Sequence, residues 1–460
     1  MANTTETTIE SQALPLGPYP RIVTANFDVP GIDQIAVYRA HGGYEALAKA
    51  LRDFQPEALM EEVKASGLRG RGGAGFPTGQ KWSFLPKESP KPRYLCVNAD
   101  ESEPGTFKDR MIMEVSPHLL IEGTILTSYA THVHSAFIYI RGELPKATRQ
   151  VNRAVEEAYA AGLLGKNILG SGYDLDITVH QGAGAYICGE ESALLESLEG
   201  KRGYPRLKPP FPALVGLYGG PTVINNVETV ATVPAVVRLG AQTYAAYGTE
   251  KSKGTRIYCL SGHVNRPGNY EAPLGIPMRT LIEDFGGGVR LGRALKAAIP
   301  GGSSAPMLGA DKLDTPLDYE SVAAAGSMLG SGGVIVLDDQ TCIVGAVLRM
   351  TEFYRDESCG KCTPCREGTF WLVQLLERLE AGEGKASDID LLADICDNIN
   401  GKSFCPLGDG AISSIVSSIK LFRDEYLHHI TRHACLVGPG ATRSSMDSTS
   451  SARAHAAVGV

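Results

Sequence analysis

The sequence predicts an α/β protein in three parts: a layer of parallel strands and helices, a small sheet with one helix, and a four-helix bundle. Strand-like and helical segments alternate between residues 93 and 180, short strand-like segments follow residue 254, and amphipathic helical stretches follow residue 341. A chain of 460 residues also exceeds the size of one ordinary domain. We therefore expect about three domains, each with its own core.

Composition and charge exclude several classes of protein. Hydrophobic residues make up 43% and charged residues 21% of the chain, as in ordinary globular proteins, which excludes wholesale disorder and fibrous repeats. The net charge of -7 gives no sign of the basic face that nucleic-acid binding needs. No apolar run is long enough to span a bilayer, so we expect membrane association only through a partner.

The predicted elements follow the chain in order. Residues 1–40 contain several prolines and are expected to form an extended arm lying on another surface. The α/β domain is expected at 41–245, with helices at 43–53, 56–65 and 146–162 and strands at 93–100, 135–140 and 175–180. A small-sheet domain (246–339), a helical bundle (340–437) with helices near 342–356, 366–381, 387–399 and 409–430, and a disordered tail (438–460) complete the prediction.

The cysteines separate into a motif and single residues. The first residues of the chain lack a secretory signal, so we expect a cytosolic protein whose ten cysteines are thiols or metal ligands. Six stand singly in apolar settings and are predicted to pack as small hydrophobic residues. These are Cys96, Cys188, Cys259, Cys342, Cys396 and Cys435.

The motif ESCGKCTPCREG places Cys359, Cys362 and Cys365 at two-residue intervals, and Cys405 precedes Pro406 further on. Three thiolates from one turn and one from a distance suit the corners of a [4Fe-4S] cluster. Three ligands so close in sequence crowd the tetrahedron of a zinc site, which remains an alternative together with plain buried thiols. Cys396 is a possible substitute ligand.

A glycine-rich loop is expected at residues 66–82. Gly70 to Gly75 match G-x-G-x-x-G, but a helix precedes them where the usual dinucleotide turn needs a strand. Bare backbone still admits a flat ring or a pyrophosphate, and Arg71 and Lys81 can neutralise phosphate charge. Phe76, Trp82 and Phe84 suit ring stacking, which favours a nucleotide-facing loop over a mobile linker.

Acids crowd the end of the strand predicted at 93–100. Ligands of open α/β sheets bind outside the carboxyl ends of strands, so Asn98, Asp100, Glu101, Glu103 and Asp109 are candidates for recognising sugar hydroxyls. A solvated acidic turn and a site for a hard cation are the alternatives.

Two helix starts supply further candidates. Glu190 and Glu191 fall in a first helical turn, where acids favour the helix dipole whether or not a ligand binds. Asn225 and Asn226 precede an apolar helix, where they suit either a phosphate or a simple N-cap. No arrangement of residues for hydrolysis is present. A nucleotide site and an iron–sulfur cluster in one chain imply electron transfer, with a flavin between the two-electron donor and the one-electron acceptor.

Together these motifs resemble the NADH-binding flavoprotein subunit of respiratory complex I and its soluble diaphorase relatives. The resemblance covers roughly residues 40 to 437 and is carried by GLRGRGGAGFPTGQKW, NADESEPGTFKDR, GAGAYICGEESALL, INNVET, ESCGKCTPCREG and SFCPLGD. It implies a Rossmann-like FMN domain, a ubiquitin-like β-grasp domain and a four-helix bundle carrying the cluster. Ser102 and Phe107 depart from the family pattern, and we expect no consequence.

The resemblance also implies site residues. Cys359, Cys362, Cys365 and Cys405 would ligate a [4Fe-4S] cluster. NADH would stack on the flavin against Phe76, Phe84 and Phe211, with Glu103 and Glu191 as catalytic acids near its polar groups. FMN would be held by Gly67, Gly70, Arg71, Gly72, Gly73, Gly75, Lys81, Asn98, Asp100, Glu101, Tyr186, Gly189, Glu190, Ile224, Asn225, Asn226 and Thr229.

The family further implies partners and a location. These are a thioredoxin-like [2Fe-2S] subunit and the large iron–sulfur subunit of complex I, in a peripheral assembly on the cytoplasmic side of the inner (plasma) membrane. A diaphorase subunit of an NAD-linked hydrogenase or formate dehydrogenase is the nearest alternative, although this chain shows no further cysteine motif of the kind those relatives carry. A zinc-stabilised binding scaffold without enzymatic activity is a remote one.

Overall fold

The first domain contains a parallel sheet. The computed structural model describes residues 19–437, so the expected tail (438–460) and residues 1–18 of the expected arm lie outside the described residues. The strands of this sheet are β1 (Tyr94–Ala99), β2 (Ser135–Ile140), β3 (Asp176–Gln181) and β4 (Thr222–Asn226). They are all parallel and pair in the order β3-β2-β1-β4. The predicted α/β layer is confirmed.

Helices cover this sheet because strands that run parallel need crossover connections. They are α1 (Ile35–Ala40), α2 (Glu45–Asp53), α3 (Pro56–Ala65), α4 (Thr78–Trp82), α5 (Lys108–Val115), α6 (Pro117–Ala130), α7 (Pro145–Ala160), α8 (Glu191–Leu198), α9 (Val227–Leu239) and α10 (Ala241–Ala245). Helix α4 takes the end of the predicted glycine-rich loop, so the loop stops at residue 77 rather than 82.

Helix α6 carries the most apolar stretch of the chain and is buried in the core. It packs so closely on α9 that a Cβ atom on Gly123 would lie 2.1 Å from the carbonyl oxygen of Val230. Glu122 on α6 is buried and accepts hydrogen bonds from the Tyr38 hydroxyl at 2.5 Å and the Leu47 amide at 3.1 Å. Within residues 19–437, no helix has the length and apolarity needed to cross a membrane.

The described part of the arm is not extended throughout, which corrects the prediction for residues 19–40. Residues 35–40 form α1, and the preceding residues form turns, which prolines favour as readily as extended chain. The amides of Ile22 and Thr24 donate to the buried Glu271 carboxylate at 3.0 and 2.8 Å. The arm therefore lies on this chain's own second domain.

The second domain is a mixed sheet with short helices. Its strands are β5 (Thr255–Gly262), β6 (Gly268–Pro273), β7 (Leu295–Ile299), β8 (Leu308–Gly309) and β9 (Gly333–Asp338), in the order β6-β5-β9-β7-β8. Helix α11 (Met278–Thr280) continues into a π-helical turn at Leu281–Phe285. The sequence predicted only this helix in the domain, whereas the structure has a second one, α12 (Tyr319–Ala324).

The third domain is the predicted four-helix bundle. Its helices are α13 (Ile343–Glu357), α14 (Thr363–Glu380), α15 (Ser387–Ile399) and α16 (Leu407–Arg432). Apolar side chains such as Val347, Leu376 and Leu392 are fully buried between the helices, as the helical spacing of apolar residues predicts. Cys359 and Cys362 lie in the connection before α14, Cys365 lies in the first turn of α14, and Cys405 lies in the connection before α16.

Candidate functional site

The site lies at the point in the parallel sheet where the order of the strands reverses. Strands β2 and β3 follow on one side of β1, whereas β4 lies on the other, so a crevice opens outside the carboxyl ends of β1 and β4. Asn98 and Asn226 are partners in the β1–β4 register at this edge. A cavity of about 520 Å³ occupies the crevice, and residues from all three domains line it.

Asp100 lies on the cavity just beyond β1. Its Oδ2 accepts a hydrogen bond from the Ser102 hydroxyl at 3.0 Å, whereas its buried Oδ1 has no partner among the described residues. Burial raises the pKa of the Asp100 carboxyl to about 7. The Asn98 side chain binds the Gly189 carbonyl oxygen at 2.8 Å and so joins this turn to the start of α8. Asp100 thus offers a buried acceptor to a ligand, and Ser102, expected to be without consequence, supports it.

Glu101 and Glu103 are both held by backbone and hydroxyl donors. The Glu101 carboxylate accepts from the amides of Asp109 and Arg110 at 2.8 and 2.9 Å. Burial and the neighbouring Asp109 carboxylate raise the pKa of Glu101 to about 7. The Glu103 carboxylate accepts from the Tyr186 hydroxyl and from the amide of Ser304, both at 2.7 Å. Glu103 therefore connects the first domain to the second and fixes the Tyr186 ring.

Charged residues that the sequence analysis missed lie beneath these acids. The buried Lys108 ammonium lies 2.7 Å from Asp109 and 2.9 Å from Glu228. Burial lowers the pKa of Lys108, but the two carboxylates outweigh it and hold the pKa above its ordinary value. Glu228 also accepts from the Ile257 amide of β5 at 2.7 Å. We call the buried ionisable residues Arg71, Lys108, Asp109 and Glu228 the buried charge network.

Arg71 belongs to that network because it is fully buried and its positive charge lowers the pKa of Glu228. Its guanidinium is fully buried and donates to the Tyr244 hydroxyl at 3.2 Å and the Thr255 carbonyl oxygen at 2.8 Å. Its amide donates to the Thr229 hydroxyl at 2.8 Å. Arg71 therefore fastens the glycine-rich loop to the second domain, a role that the sequence did not indicate.

The glycine-rich loop turns its middle toward the cavity. Gly72 lines the cavity, and a Cβ there would lie 3.1 Å from the Asn226 side chain. Gly75, with φ of +63°, lies so near the Tyr319 ring that a Cβ would meet it at 2.4 Å. Among the described residues, the cavity lining does not include Gly67, Gly70, Gly73 or Gly75. Close approach of backbone thus serves both the cavity and the contact between domains.

Two lysines and two glutamates surround the start of α8. Lys81 lies 3.2 Å from Glu191 and donates to the Ile224 carbonyl oxygen at 2.8 Å. Lys208 lies 2.8 Å from both Glu190 and Glu191. Burial raises the pKa of Glu191, but Lys81 and Lys208 outweigh it, so the pKa is lowered overall. Glu190 is the N-cap of α8, since its carboxylate accepts from the amides of Ser192 and Ala193.

Three phenylalanines predicted to stack on a ligand are exposed at the surface. The exposed fractions of Phe76, Phe84 and Phe211 are 42%, 50% and 56%. The rings of Phe76 and Phe84 lie 5.8 Å apart between centroids. Trp82, in contrast, is fully buried and donates to Asn225 Oδ1 at 2.8 Å, so it belongs to the core. We call Phe76, Phe84 and Phe211 the exposed aromatic group.

The structure brings the four motif cysteines into one apolar cluster with Tyr186 and Leu407. Cys365 lies in the first turn of α14. The amide of Phe404 lies 3.5 Å from Cys362 Sγ, and this contact joins the segments that carry Cys362 and Cys405. Within the described chain, no three of these sulfurs lie within 4.8 Å of one another. Thiolates that share one tetrahedral zinc ion lie about 3.8 Å apart. The motif thiols therefore do not form the compact group of three that a single zinc ion needs, and thiolates are also the usual ligands of iron–sulfur clusters.

Cys405 is the link between the thiols and the cavity. It lines the same cavity as Asp100 and Tyr186. Cys396 lies instead in the core between the bundle helices, in a different cluster of side chains, and is no substitute ligand. The candidate residues that line the cavity are Arg71, Gly72, Asn98, Asp100, Glu101, Glu103, Asp109, Tyr186, Gly189, Glu190, Asn226 and Cys405.

Comparisons with known families cover most of the chain. The Nuo51 FMN-binding domain matches residues 63–235, the SLBB domain residues 256–336, and the NADH-ubiquinone oxidoreductase-F iron-sulfur binding region residues 345–429. These matches agree with the predicted flavin and iron–sulfur cofactors.

Individual relatives extend over nearly the full length. The F subunit of the NADH-quinone oxidoreductase of Streptomyces coelicolor is 59% identical over 428 residues, which are 93% of this chain and 95% of the relative. Its counterpart in Mycobacterium tuberculosis is 58% identical over 436 residues, 93% of this chain and 97% of the relative.

A solved structure shares the fold. A chain of an NAD+-reducing [NiFe]-hydrogenase in the H2-reduced state superposes with a TM-score of 0.79 at 34% identity, over 91% of this chain and 68% of that chain. The identity to the two NADH-quinone oxidoreductase relatives is markedly higher and extends over nearly all of their length. The chain belongs to the family of NADH-quinone oxidoreductase F subunits.

Proposed function

We propose that this chain is the electron-input subunit of a respiratory NADH:quinone oxidoreductase. It oxidises NADH with the help of FMN and passes single electrons to a [4Fe-4S] cluster and onward to partner subunits. The observation that carries the proposal is that Asp100, Tyr186 and Cys405 line one cavity. A cofactor in this cavity would therefore contact a cluster ligand directly, which suits electron transfer within one polypeptide.

The donors and acceptors around the cavity fit FMN. The unpartnered Asp100 Oδ1 can accept a hydrogen bond from a sugar-chain hydroxyl, and Gly72 leaves the backbone open to a flat ring. Bound FMN would accept the two electrons of one hydride together and release them one at a time. We propose that it is held by the cavity-lining residues named above other than the cluster ligand Cys405, with Lys81, Asn225 and Thr229 supporting them from behind.

The charged residues of the chain have distinct proposed roles. The lowered pKa of Glu191 keeps its carboxylate ionised, so it can accept hydrogen bonds from the hydroxyls or the amide of NADH. Lys108 lines the cavity, and its ammonium compensates the buried carboxylates of Asp109 and Glu228 there. Glu103 orients Tyr186 toward the cavity through their 2.7 Å hydrogen bond.

The proposed partners follow from the family. We infer a complex in which a thioredoxin-like [2Fe-2S] subunit and a large iron–sulfur subunit take electrons from this chain. In this proposal the chain is peripheral, on the cytoplasmic side of the membrane, and reaches the membrane only through those partners. The hydrogenase diaphorase is the second candidate, favoured by the superposition with the hydrogenase chain.

Anaerobic titration of the full chain with NADH tests the proposal. We expect bleaching of the flavin absorbance and the appearance of a reduced-cluster EPR signal in the same sample. The variant Cys405→Ser should lose the cluster signal while its flavin still bleaches, and Cys396→Ser should match the wild type. Colourless protein that contains zinc and no flavin would favour the binding scaffold. Co-purification of the chain with a hydrogenase in extracts of the native cell would favour the diaphorase alternative.

A further inference from the structure

A second group of metal-binding side chains lies at the opposite end of the bundle helices from the cluster cysteines. Cys342, His429 and Cys435 each offer a ligand atom, and these atoms all lie within 4.8 Å of one another. Cys342 and His429 are buried, and Cys435 is half-buried. Across residues 19–437 this is the only group of its kind. The sequence predicted that both cysteines pack as single hydrophobic residues, and that prediction does not explain why their sulfurs lie close together.

The distances in this group match a tetrahedral ion. Cys342 Sγ lies 3.3 Å from His429 Nε2. The Glu380 carboxylate oxygen Oε2 lies 3.5 Å from Cys342 Sγ and 3.8 Å from His429 Nε2. Two ligand atoms on a tetrahedral zinc ion lie about 3.4–3.8 Å apart, given metal–ligand bonds of about 2.0–2.3 Å. The group is therefore compact enough for one ion, in contrast to the four motif cysteines.

The helix ends around the group favour a bound cation. Glu380 is the last residue of α14, and His429 lies in the last turn of α16, so two negative helix ends point toward the site. Cys342 is the N-cap of α13, where the Gly345 amide lies 3.4 Å from its sulfur and supports a thiolate. His429 Nδ1 has no partner within the described chain, so Nε2 makes the polar contacts of the ring.

We propose that Cys342, His429 and Cys435 bind a zinc ion, with the Glu380 carboxylate or a water molecule as the fourth ligand. Two thiolates and one imidazole are ligands that zinc prefers, whereas magnesium and calcium prefer oxygen. On binding, each thiol releases its proton to solvent and no electrons move. The ion joins the start of α13 to the end of α16 and to the segment after it, so its role is structural.

Metal analysis of the full chain, loaded with FMN and iron–sulfur cluster, tests this proposal. Loading matters because it occupies the cluster cysteines, which could otherwise take up zinc. After dialysis against zinc-free buffer, we expect inductively coupled plasma mass spectrometry to find about one zinc ion per chain. Cys435→Ser should lose most of that zinc, and Cys396→Ser, which changes another buried thiol of the bundle, should keep it. The iron content should be equal in all three proteins.

X-ray absorption at the zinc edge of the wild type provides a test that needs no variant. We expect sulfur neighbours at about 2.3 Å together with nitrogen or oxygen neighbours at about 2.0 Å. Zinc content unaffected by Cys435→Ser, a zinc shell without sulfur, or zinc-free wild type would overturn the proposal. A Cys342–Cys435 disulfide in the protein as isolated would overturn it too, because it consumes both thiolates.

Discussion

The buried charge network and the exposed aromatic group are two sets of candidate side chains in opposite environments. Lys108 and Glu228 are fully buried and paired, whereas Phe84 and Phe211 are at least half exposed. Removing one partner of a buried ion pair leaves a charge without compensation, but trimming an exposed ring costs the fold little. We infer that the network maintains the shape of the cavity and that the aromatic group contributes to binding alone.

The largest expected effect follows from removing the cation of the network. Lys108→Met should lower the free energy of unfolding by about 3–5 kcal/mol, because Asp109 and Glu228 remain buried without their counter-ion. Thermal and urea unfolding measure the change. Lys166→Met is the matched control, since Lys166 pairs with Asp174 at the surface with 82% of its side chain exposed. If the two variants were equally stable, the buried charge network would contribute no more to the fold than an exposed ion pair does.

The pH dependence of stability sharpens the role of Asp100. Its pKa is about 7 in the folded protein and near 3.8 ordinarily, so the unfolded chain releases the proton first as pH rises. Between about pH 4 and 7 this group therefore lowers stability by about 1.4 kcal/mol per pH unit, and below pH 4 the penalty is absent.

The variant Asp100→Asn does not titrate, so in flavin-free protein it should gain stability relative to wild type by that slope as pH rises. Urea unfolding at several pH values measures the difference. Asp53→Asn, at an exposed position whose pKa is lowered, should show no such slope in this range. A constant difference between Asp100→Asn and wild type would show that Asp100 is ionised in the folded protein throughout.

A smaller effect is expected where the glycine-rich loop meets α9. Thr229→Val removes the acceptor of the buried Arg71 amide and should cost about 1–3 kcal/mol of stability. Thr148→Val serves as the control, because the Thr148 hydroxyl only donates to a carbonyl within its own helix. Flavin binding should weaken in Thr229→Val alone. If both variants unfold alike, the loop is anchored by other contacts.

The smallest effect on stability is expected in the exposed aromatic group. Phe211→Ala should change the free energy of unfolding by less than about 0.5 kcal/mol. It should nevertheless raise the KM for NADH by about two- to tenfold if a ring contact worth about 0.5–1.5 kcal/mol is lost. Phe370→Ala, at another exposed ring, on α14 with an exposed fraction of 46%, should leave the KM unchanged. Steady-state kinetics of the holoenzyme decide between them.

Much of the fold could be predicted because its patterns are local. Helices α3 and α15 have the predicted bounds, since apolar spacing and Pro56 at a helix start act within a few residues. The prediction of an extended arm was wrong at residues 35–40, which form the short helix α1. Helix α1 packs on α7, a contact that its own sequence pattern does not indicate. The second domain's extra helix α12 was also missed, although it carries a local signal, since the Asp318 side chain caps it by accepting from the Ser321 amide.

The site divides in the same way between local and distant information. The spacing of Cys359, Cys362 and Cys365 and the acids after β1 are contiguous motifs, so the chain itself indicated a cluster and a ligand edge. By contrast, Arg71 looked like a phosphate ligand because its neighbours are glycines, yet residues of the second domain surround its guanidinium. Lys108 was not among the candidate residues, because the sequence does not show that Glu228, far along the chain, meets it in the interior.

The amino-acid sequence by itself determined the α/β layer, the four-helix bundle, the family and the four thiols of the proposed cluster, because each depends on residue types at short, regular spacing. Only the tertiary structure decided which charges are buried together and that Cys342 meets His429 and Cys435. The contacts of Lys108 with Glu228 and of Cys342 with His429 join residues more than eighty positions apart, and pairing at that range depends on how the helices and strands pack.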